Sequence, residues 1–213
     1  MSNKCNKEMI KIIGTNHLIK KELVEEMIRN ESPDIVGIEL CEFRETQIFE
    51  EAKKVQNKSN SLLGKITNAI KTKADKEGLD YGSDMKAALN YSKENNIPRV
   101  LVDMPILKIQ ELFLKIPEKE QEGFAGELQD FEKESINKKV NEEEVLLQMK
   151  SRYPIAFEFL INMRNLYIAN QILKTVIEHP DKKIVVVLGS SHVESVNKLI
   201  GNQLNKKEVN KNV

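Results

Sequence analysis

The sequence has no tryptophan, and aromatic residues make up only 5% of its 213 positions. Its two cysteines, Cys5 and Cys41, are too few for a disulfide framework or a cysteine-based zinc site. There is no excess of charge, because 33 basic side chains balance 33 acidic ones. A general nucleic-acid binder needs surplus lysine and arginine to displace counterions, so no nucleic-acid partner is expected. Long hydrophobic runs are also missing; every apolar stretch falls far short of the roughly 18 residues that suggest a membrane span. No secretory apolar core follows Met1-Ser2-Asn3-Lys4, and a cytoplasmic location is the expectation. What is present, 40% apolar and 31% charged residues, suits one domain over residues 1–213 with a sizeable core.

Four short β-branched runs stand out: Met9-Ile10-Lys11-Ile12-Ile13, Ile35-Val36-Gly37-Ile38, Val100-Leu101-Val102 and Ile184-Val185-Val186-Val187-Leu188. Near-continuous apolar character is what a strand needs when both faces of its sheet are covered. Helical patterns separate them. Residues 18–30 carry Ile19, Leu23, Val24, Met27 and Ile28 on one stripe, ended by Ser32-Pro33-Asp34. Ser83 is placed to cap a helix through Met85, Ala88 and Leu89 that ends at Asn95-Asn96-Ile97-Pro98. Pro154 opens a long helix to about Glu178. The alternation predicts an α/β fold: a mainly parallel central sheet of at least four strands flanked by helices. Residues 45–80 and 106–150 break the alternation and read as helical segments beside the sheet, an insertion or lid. The 117–145 part reads most simply as a solvated charged face. The tail from about 202 to 213 is polar and expected to fray. An apolar stripe from Ile48 and Phe49 to Ile66 is either core or the surface of a homodimer.

The informative residues follow the strands. The first run ends in Gly14-Thr15-Asn16-His17 and the last in Gly189-Ser190-Ser191-His192, so two of the three histidines share a G-x-x-H position. The second run ends in Glu39, with Arg44 five residues on, and the third in Asp103. In an open parallel sheet the carboxyl ends of the strands face one crevice, where ligands bind. His17, Glu39, Asp103 and His192 should therefore converge there. Glycine at the turn permits close backbone approach, which makes Gly14, Thr15, Gly189, Ser190 and Ser191 candidates for substrate binding. Two imidazoles and a carboxylate form a mixed ligand set for a divalent metal able to activate water. Each residue alone also has a plain structural reading: a helix cap for either histidine, an internal ion pair for Glu39 with Arg44, a turn for Asp103-Met104-Pro105. Cys41 reads as a packing residue and His179 as a solvent-facing loop residue.

These blocks resemble the TraB/PrgY pheromone-shutdown family. The resemblance is carried by Ile13-Gly14-Thr15-Asn16-His17, by Pro33-Asp34-Ile35-Val36-Gly37-Ile38-Glu39-Leu40 with Arg44, and by Tyr81-Gly82-Ser83-Asp84-Met85-Lys86-Ala87-Ala88. It continues in Leu101-Val102-Asp103-Met104-Pro105-Ile106, Arg164-Asn165-Leu166-Tyr167-Ile168-Ala169 and Val187-Leu188-Gly189-Ser190-Ser191-His192-Val193. The blocks stand in family order. The resemblance implies a fold shared with the Tiki metalloproteases and the erythromycin-esterase/ChaN-like group. It implies His17, His192 and Glu39 as the residues on which a metal-dependent peptidase activity rests, with Arg44 and Arg164 as matched arginines. A guanidinium forks well onto a carboxylate or oxyanion, so both suit substrate positioning.

Three positions depart from the family pattern. Met104 stands where an arginine is usual, Met163 where a glutamate is usual, and Ser191 where a second glycine is usual. The hydrophobic C-terminal segments of many relatives are absent from the sequence, which points to a free domain without a membrane span. The leading expectation is a metal-dependent hydrolase of a small peptide or other small-molecule substrate. His17, His192 and Glu39 would hold an ion of the Mn, Co or Zn type. Glu39, Asp103, Arg44 and Arg164 would serve the chemistry, with the general base either Glu39 or Asp103. Two histidines and a carboxylate also fit non-haem iron. The competing expectations are a peptide- or anion-sequestering module without turnover, and an interaction protein that docks through 106–150.

Overall fold

In the computed structural model, residues 9–15, 19–51, 82–135 and 142–209 are described. The chain runs β1 (Ile10–Thr15), α1 (Lys21–Glu31), β2 (Ile35–Ile38), α2 (Glu42–Glu51), α3 (Ser83–Glu94) and β3 (Arg99–Leu101). It continues through α4 (Ile106–Phe113), α5 (Glu118–Ser135), α6 (Glu142–Arg152) and the short α7 (Pro154–Phe157). A π-helical turn (Glu158–Asn162) leads into α8 (Met163–Glu178), followed by β4 (Ile184–Gly189) and α9 (Ser190–Val209). The four strands form one sheet in the order β1-β4-β2-β3, with every pairing parallel. This is the expected α/β fold: a central parallel sheet flanked by helices. No helix among the described residues is long and apolar enough to cross a membrane.

The unbroken run in β4 has a direct cause. β4 lies between β1 and β2, and all six of its residues are buried. Val185 and Val187 point into one layer with Ile13, Val36 and Ile38, beneath Val24 and Ile28 of α1 and Met85, Ala88 and Leu89 of α3. Ile184, Val186 and Leu188 point into the other, against Ile168, Ile172 and Val176 of α8 and Val196 and Ile200 of α9. Gly37 leaves room for that second layer, since a Cβ there would sit 3.0 Å from both methyls of Val186. Fully burying each such aliphatic side chain contributes roughly 1.5–3 kcal/mol. An exposed ion pair contributes about 0–1 kcal/mol. The two apolar layers therefore fix where the strand ends lie.

Several local expectations are corrected. The stripe on α1 is narrower than its periodicity suggests. Val24 and Ile28 are fully buried, but Leu23 and Met27 are exposed, because only one edge of the stripe meets the sheet. Ser83 is the first helical residue of α3 rather than its cap; Gly82 occupies the cap at φ 78, and the Ser83 hydroxyl donates to the Ile19 carbonyl at 2.6 Å. From 202 the chain continues as α9 to Val209, with Leu204 buried in the second layer, and residues 210–213 lie outside the described residues. Helical character in 45–80 is described only as far as α2. Ile48 packs partly buried against the first layer, and that apolar stripe from Ala52 onward lies outside the described residues. Cys41 is buried and free of any disulfide, and His179 is exposed, as expected.

The 106–150 region is more than a charged surface. Ile109, Leu112 and Phe113 of α4, Phe124 of α5, Met149 of α6, Phe157, and Leu160 and Ile161 of the π turn form a third core. The Tyr153 ring lies where a side chain on Gly123 would be and meets Phe124 edge-on, with centroids 6.3 Å apart. Glu120 accepts from the Ile155 and Ala156 amides at 3.0 Å, tying α5 to the start of α7. Met104 is buried in this core and Met163 packs against it. The methionines standing where the family resemblance expects charge therefore face an apolar cluster.

Candidate functional site at the carboxyl edge of the sheet

Parallel register brings the strand ends level: Thr15 lies beside Gly189, and Ile38 beside Val187 and Leu101. Glu39 follows β2 with its amide still donating to the Val187 carbonyl at 3.2 Å. A tight turn comes next, Leu40 N–H to Ile38 carbonyl at 2.7 Å, which swings the chain off the sheet and leaves the Glu39 side chain at its edge. Asp103 is held in parallel fashion: its amide donates to the Leu40 carbonyl at 3.1 Å, and its own Oδ1 accepts from the Met104 amide at 2.8 Å.

The two carboxylates share one guanidinium. Arg164 donates through Nη2 to Glu39 Oε1 at 3.0 Å, and through Nε and Nη2 to Asp103 at 3.1 and 3.0 Å. Arg44 reaches Asp103 Oδ2 at 3.1 Å. Sequence proximity pairs Glu39 with Arg44; the structure instead gives Glu39 to Arg164 and Arg44 to Asp103. Arg164 thus forms ion pairs with both buried carboxylates. Burial is graded across the cluster. The Arg44 side chain is 36% exposed and that of Arg164 17%, while both carboxylates are buried. Burial pushes the Asp103 carboxyl up, but the charges of Arg164 and Arg44 reverse this and hold it below the usual carboxylate range.

His192 lies in the first turn of α9, buried, with Nε2 3.4 Å from Glu39 Oε1. Its Nδ1 is 2.5 Å from Oδ1 of Asn165, a buried residue of α8. The π turn sets that helix face. One extra residue in the turn rotates the rest of the helix by about 100° relative to a plain α-helix. Leu160 and Ile161 thereby serve the third core while Arg164, Asn165 and Ile168 face the sheet.

The turn residues expected to bind substrate are largely engaged within the protein. The Gly189 amide donates to Glu39 Oε2 at 2.6 Å. A Cβ on Gly14 would sit 2.9 Å from a methyl of Val193, so this glycine admits α9 against β1. The buried Thr15 hydroxyl donates to Asp84 Oδ2 and lies 3.1 Å from the Leu188 carbonyl. Ser190 and Ser191, opening α9, are partly exposed. His17 lies outside the described residues. Two residues at this edge have no role that the sequence reading assigns: Asp84, fully buried at the start of α3, and Asn165. Their signal is a polar residue set into an otherwise apolar helical face.

Among the described residues no group of three or more His, Cys, Asp or Glu side chains gathers as a metal site. His192 and Glu39 supply two suitable donors. Two donors roughly 2.0–2.2 Å from a tetrahedral ion stand about 3.4 Å apart, which is their separation here. Glu39 Oε1 retains a lone pair beyond the one facing Arg164. The pair thus has the spacing of two ligands on one ion.

No family model matches the chain. It is 26% identical over 215 residues to an uncharacterized protein of Methanocaldococcus jannaschii, an alignment covering 91% of this chain. The chain spans about half of that curated relative, 53% of its length.

Proposed function

We propose that the chain is a TraB/PrgY-type, metal-dependent hydrolase acting on a peptide or comparably small carbonyl substrate. The observation that carries this reading is the facing of His192 Nε2 and Glu39 Oε1 at 3.4 Å, at the ligand-binding edge of a parallel sheet. In this reading His17, from the other G-x-x-H turn, completes the set that holds an ion of the Mn, Co or Zn type. The ion would supply an activated water and a polarised carbonyl. Arg44, the most exposed member of the cluster, meets the substrate's carboxylate or developing negative charge. Arg164 locks the two acids in place. Asp103 is a poor proton acceptor because two guanidiniums stabilise its ionised form, so its part is to aim them.

The test is metal analysis of the purified protein, together with cleavage of a peptide library with and without Mn, Co or Zn. His17→Ala and His192→Ala should each lose bound metal and cleavage. If both variants keep both properties, the hydrolase reading fails.

One observation favours a second reading. Both Glu39 oxygens already have protein partners, Arg164 and the Gly189 amide. That suits a module which sequesters a peptide or anion without turnover. Stoichiometric binding by metal-free protein, with no product after long incubation, would select it.

A further inference from the structure

Arg44 and Arg164 both hold Asp103, but they hold it differently. Arg164 lays its Nε–Nη2 edge along the carboxylate, at 3.1 and 3.0 Å. Arg44 touches Oδ2 with Nη1 alone, at 3.1 Å. Among the described residues nothing meets its Nε or Nη2, the same edge that Arg164 uses on Asp103. That edge is a two-pronged donor whose shape matches a carboxylate. The Arg44 side chain is 36% exposed, whereas the carboxylate that holds it is fully buried. One nitrogen of the guanidinium is anchored inside the protein, and the side chain still reaches solvent.

We propose that Arg44 sets the substrate class: its remaining edge takes the terminal α-carboxylate of a short peptide, so that the bond brought to Glu39 and His192 is the last one in that peptide. The inference rests on the hydrolase reading and narrows it. Arg44 is badly placed for charge developing on the carbonyl, because Arg164, not Arg44, meets Glu39. It is well placed for a carboxylate one residue away. Contacts of 3.1, 3.0 and 3.0 Å run from Arg44 Nη1 through Asp103 Oδ2 and Arg164 Nη2 to Glu39 Oε1. The guanidinium therefore lies no more than three hydrogen-bond lengths from Glu39. An extended residue spans about 3.3–3.6 Å, and a guanidinium–carboxylate bond adds about 2.7–2.9 Å. One residue fits that reach, and two extended residues pass beyond it. In cleavage, water adds across the last peptide bond. Its hydroxyl goes to the acyl carbon and its proton to the departing nitrogen, which releases one free amino acid.

The probes are two libraries of N-acetylated tripeptides, one with a free C-terminal carboxylate and one with a C-terminal amide. The metal-free protein should bind the acids about 10–100-fold more tightly than the amides. Arg44→Met should remove that preference, and Arg44→Lys, which keeps the charge but not the fork, should retain only part of it. With Mn, Co or Zn added, the first product should be a single amino acid from the carboxyl end. Acids and amides bound alike by the wild type, or neither bound, overturn the proposal without any variant, whether or not Arg44→Met folds. So does a full preference kept by a folded Arg44→Met. Amides ending in aspartate or glutamate that bind as tightly as the acids overturn the terminal assignment. Cleavage of acids and amides at equal rates also overturns it, and leaves the hydrolase reading standing. A preference for the acids with no cleavage under any of the metals sinks the hydrolase reading and leaves the carboxylate assignment standing.

Discussion

The two ends of the sheet carry charge clusters that look alike on paper and differ in kind. At the amino edge, Glu31 pairs with Lys11 at 3.3 Å and Lys183 at 2.9 Å, and Asp34 with Lys182 at 3.2 Å. These groups stand in or beside water. Side-chain bonds from Lys183 and Lys11 lower the Glu31 carboxyl, and the Lys183 amide together with Lys182 lowers Asp34. At the carboxyl edge, Glu39 and Asp103 are buried against Arg164 at 3.0 Å, within the span of distances at the amino edge. Water stabilises the first set whether or not the pairs form. The second set lost its water on folding, so each member depends on the others. A fold needs no such arrangement for stability, because apolar side chains of similar volume do as well or better. The buried cluster is where function should be sought.

The contrast is tested hardest at Arg164. Arg164→Met takes the guanidinium from buried Glu39 and leaves buried Asp103 to the partly exposed Arg44 alone, and should cost about 3–5 kcal/mol in urea unfolding. The triple variant Glu39→Gln, Asp103→Asn, Arg164→Met should recover a large part of that loss, since no buried carboxylate is left uncompensated and the charge of Arg44 reaches water. A loss in Arg164→Met no greater than that of an exposed pair would mean the two edges are equivalent.

A smaller change is expected in acid. Asp103 titrates lower in the folded protein than in the unfolded chain, where a free aspartate titrates near ~3.9. Its contribution is therefore fully present above that value and is lost as pH falls from there through the folded value. Wild-type stability should drop more steeply below about pH 4 than that of Asp103→Asn. Parallel acid limbs in urea titrations would contradict the assignment.

Least should happen at the amino edge. Lys182→Ala should leave the urea midpoint within error in ordinary buffer. At 1 M salt, where the screening length is about 3 Å, the remaining contribution of that edge should vanish while the Arg164 effect persists. A salt-resistant loss in Lys182→Ala would show that the amino edge, too, holds a pair shielded from water.

Much of the carboxyl edge was legible in the residues. An acid directly after a β-branched run, as at Glu39 and Asp103, has few places to go but the strand's end. Arg164 could be placed at the margin of an apolar helical stripe. Its partners could be narrowed to Glu39 or Asp103, but nothing in local spacing shows that it takes both, or separates Arg44–Glu39 from Arg164–Glu39 across 125 residues. The π turn was invisible, since Glu158–Asn162 has the composition of an ordinary helix. Asn165 and Asp84 stand in the blocks that carry the family resemblance but receive no role there, because burial, not identity, makes a polar side chain significant. Leu23 and Met27 misled for the converse reason: periodicity marks an apolar stripe but not how much of it a neighbour covers.

Local composition alone decided the element types and the punctuation at their ends, because β-branched runs, periodic stripes and prolines act within a few residues of themselves. Only the folded chain decided that β4 lies between β1 and β2, that one guanidinium bridges two acids, and that Asn165 meets His192. Those outcomes depend on which apolar faces pack together. That choice is made by buried area summed over the whole molecule, and no single stretch of sequence carries it.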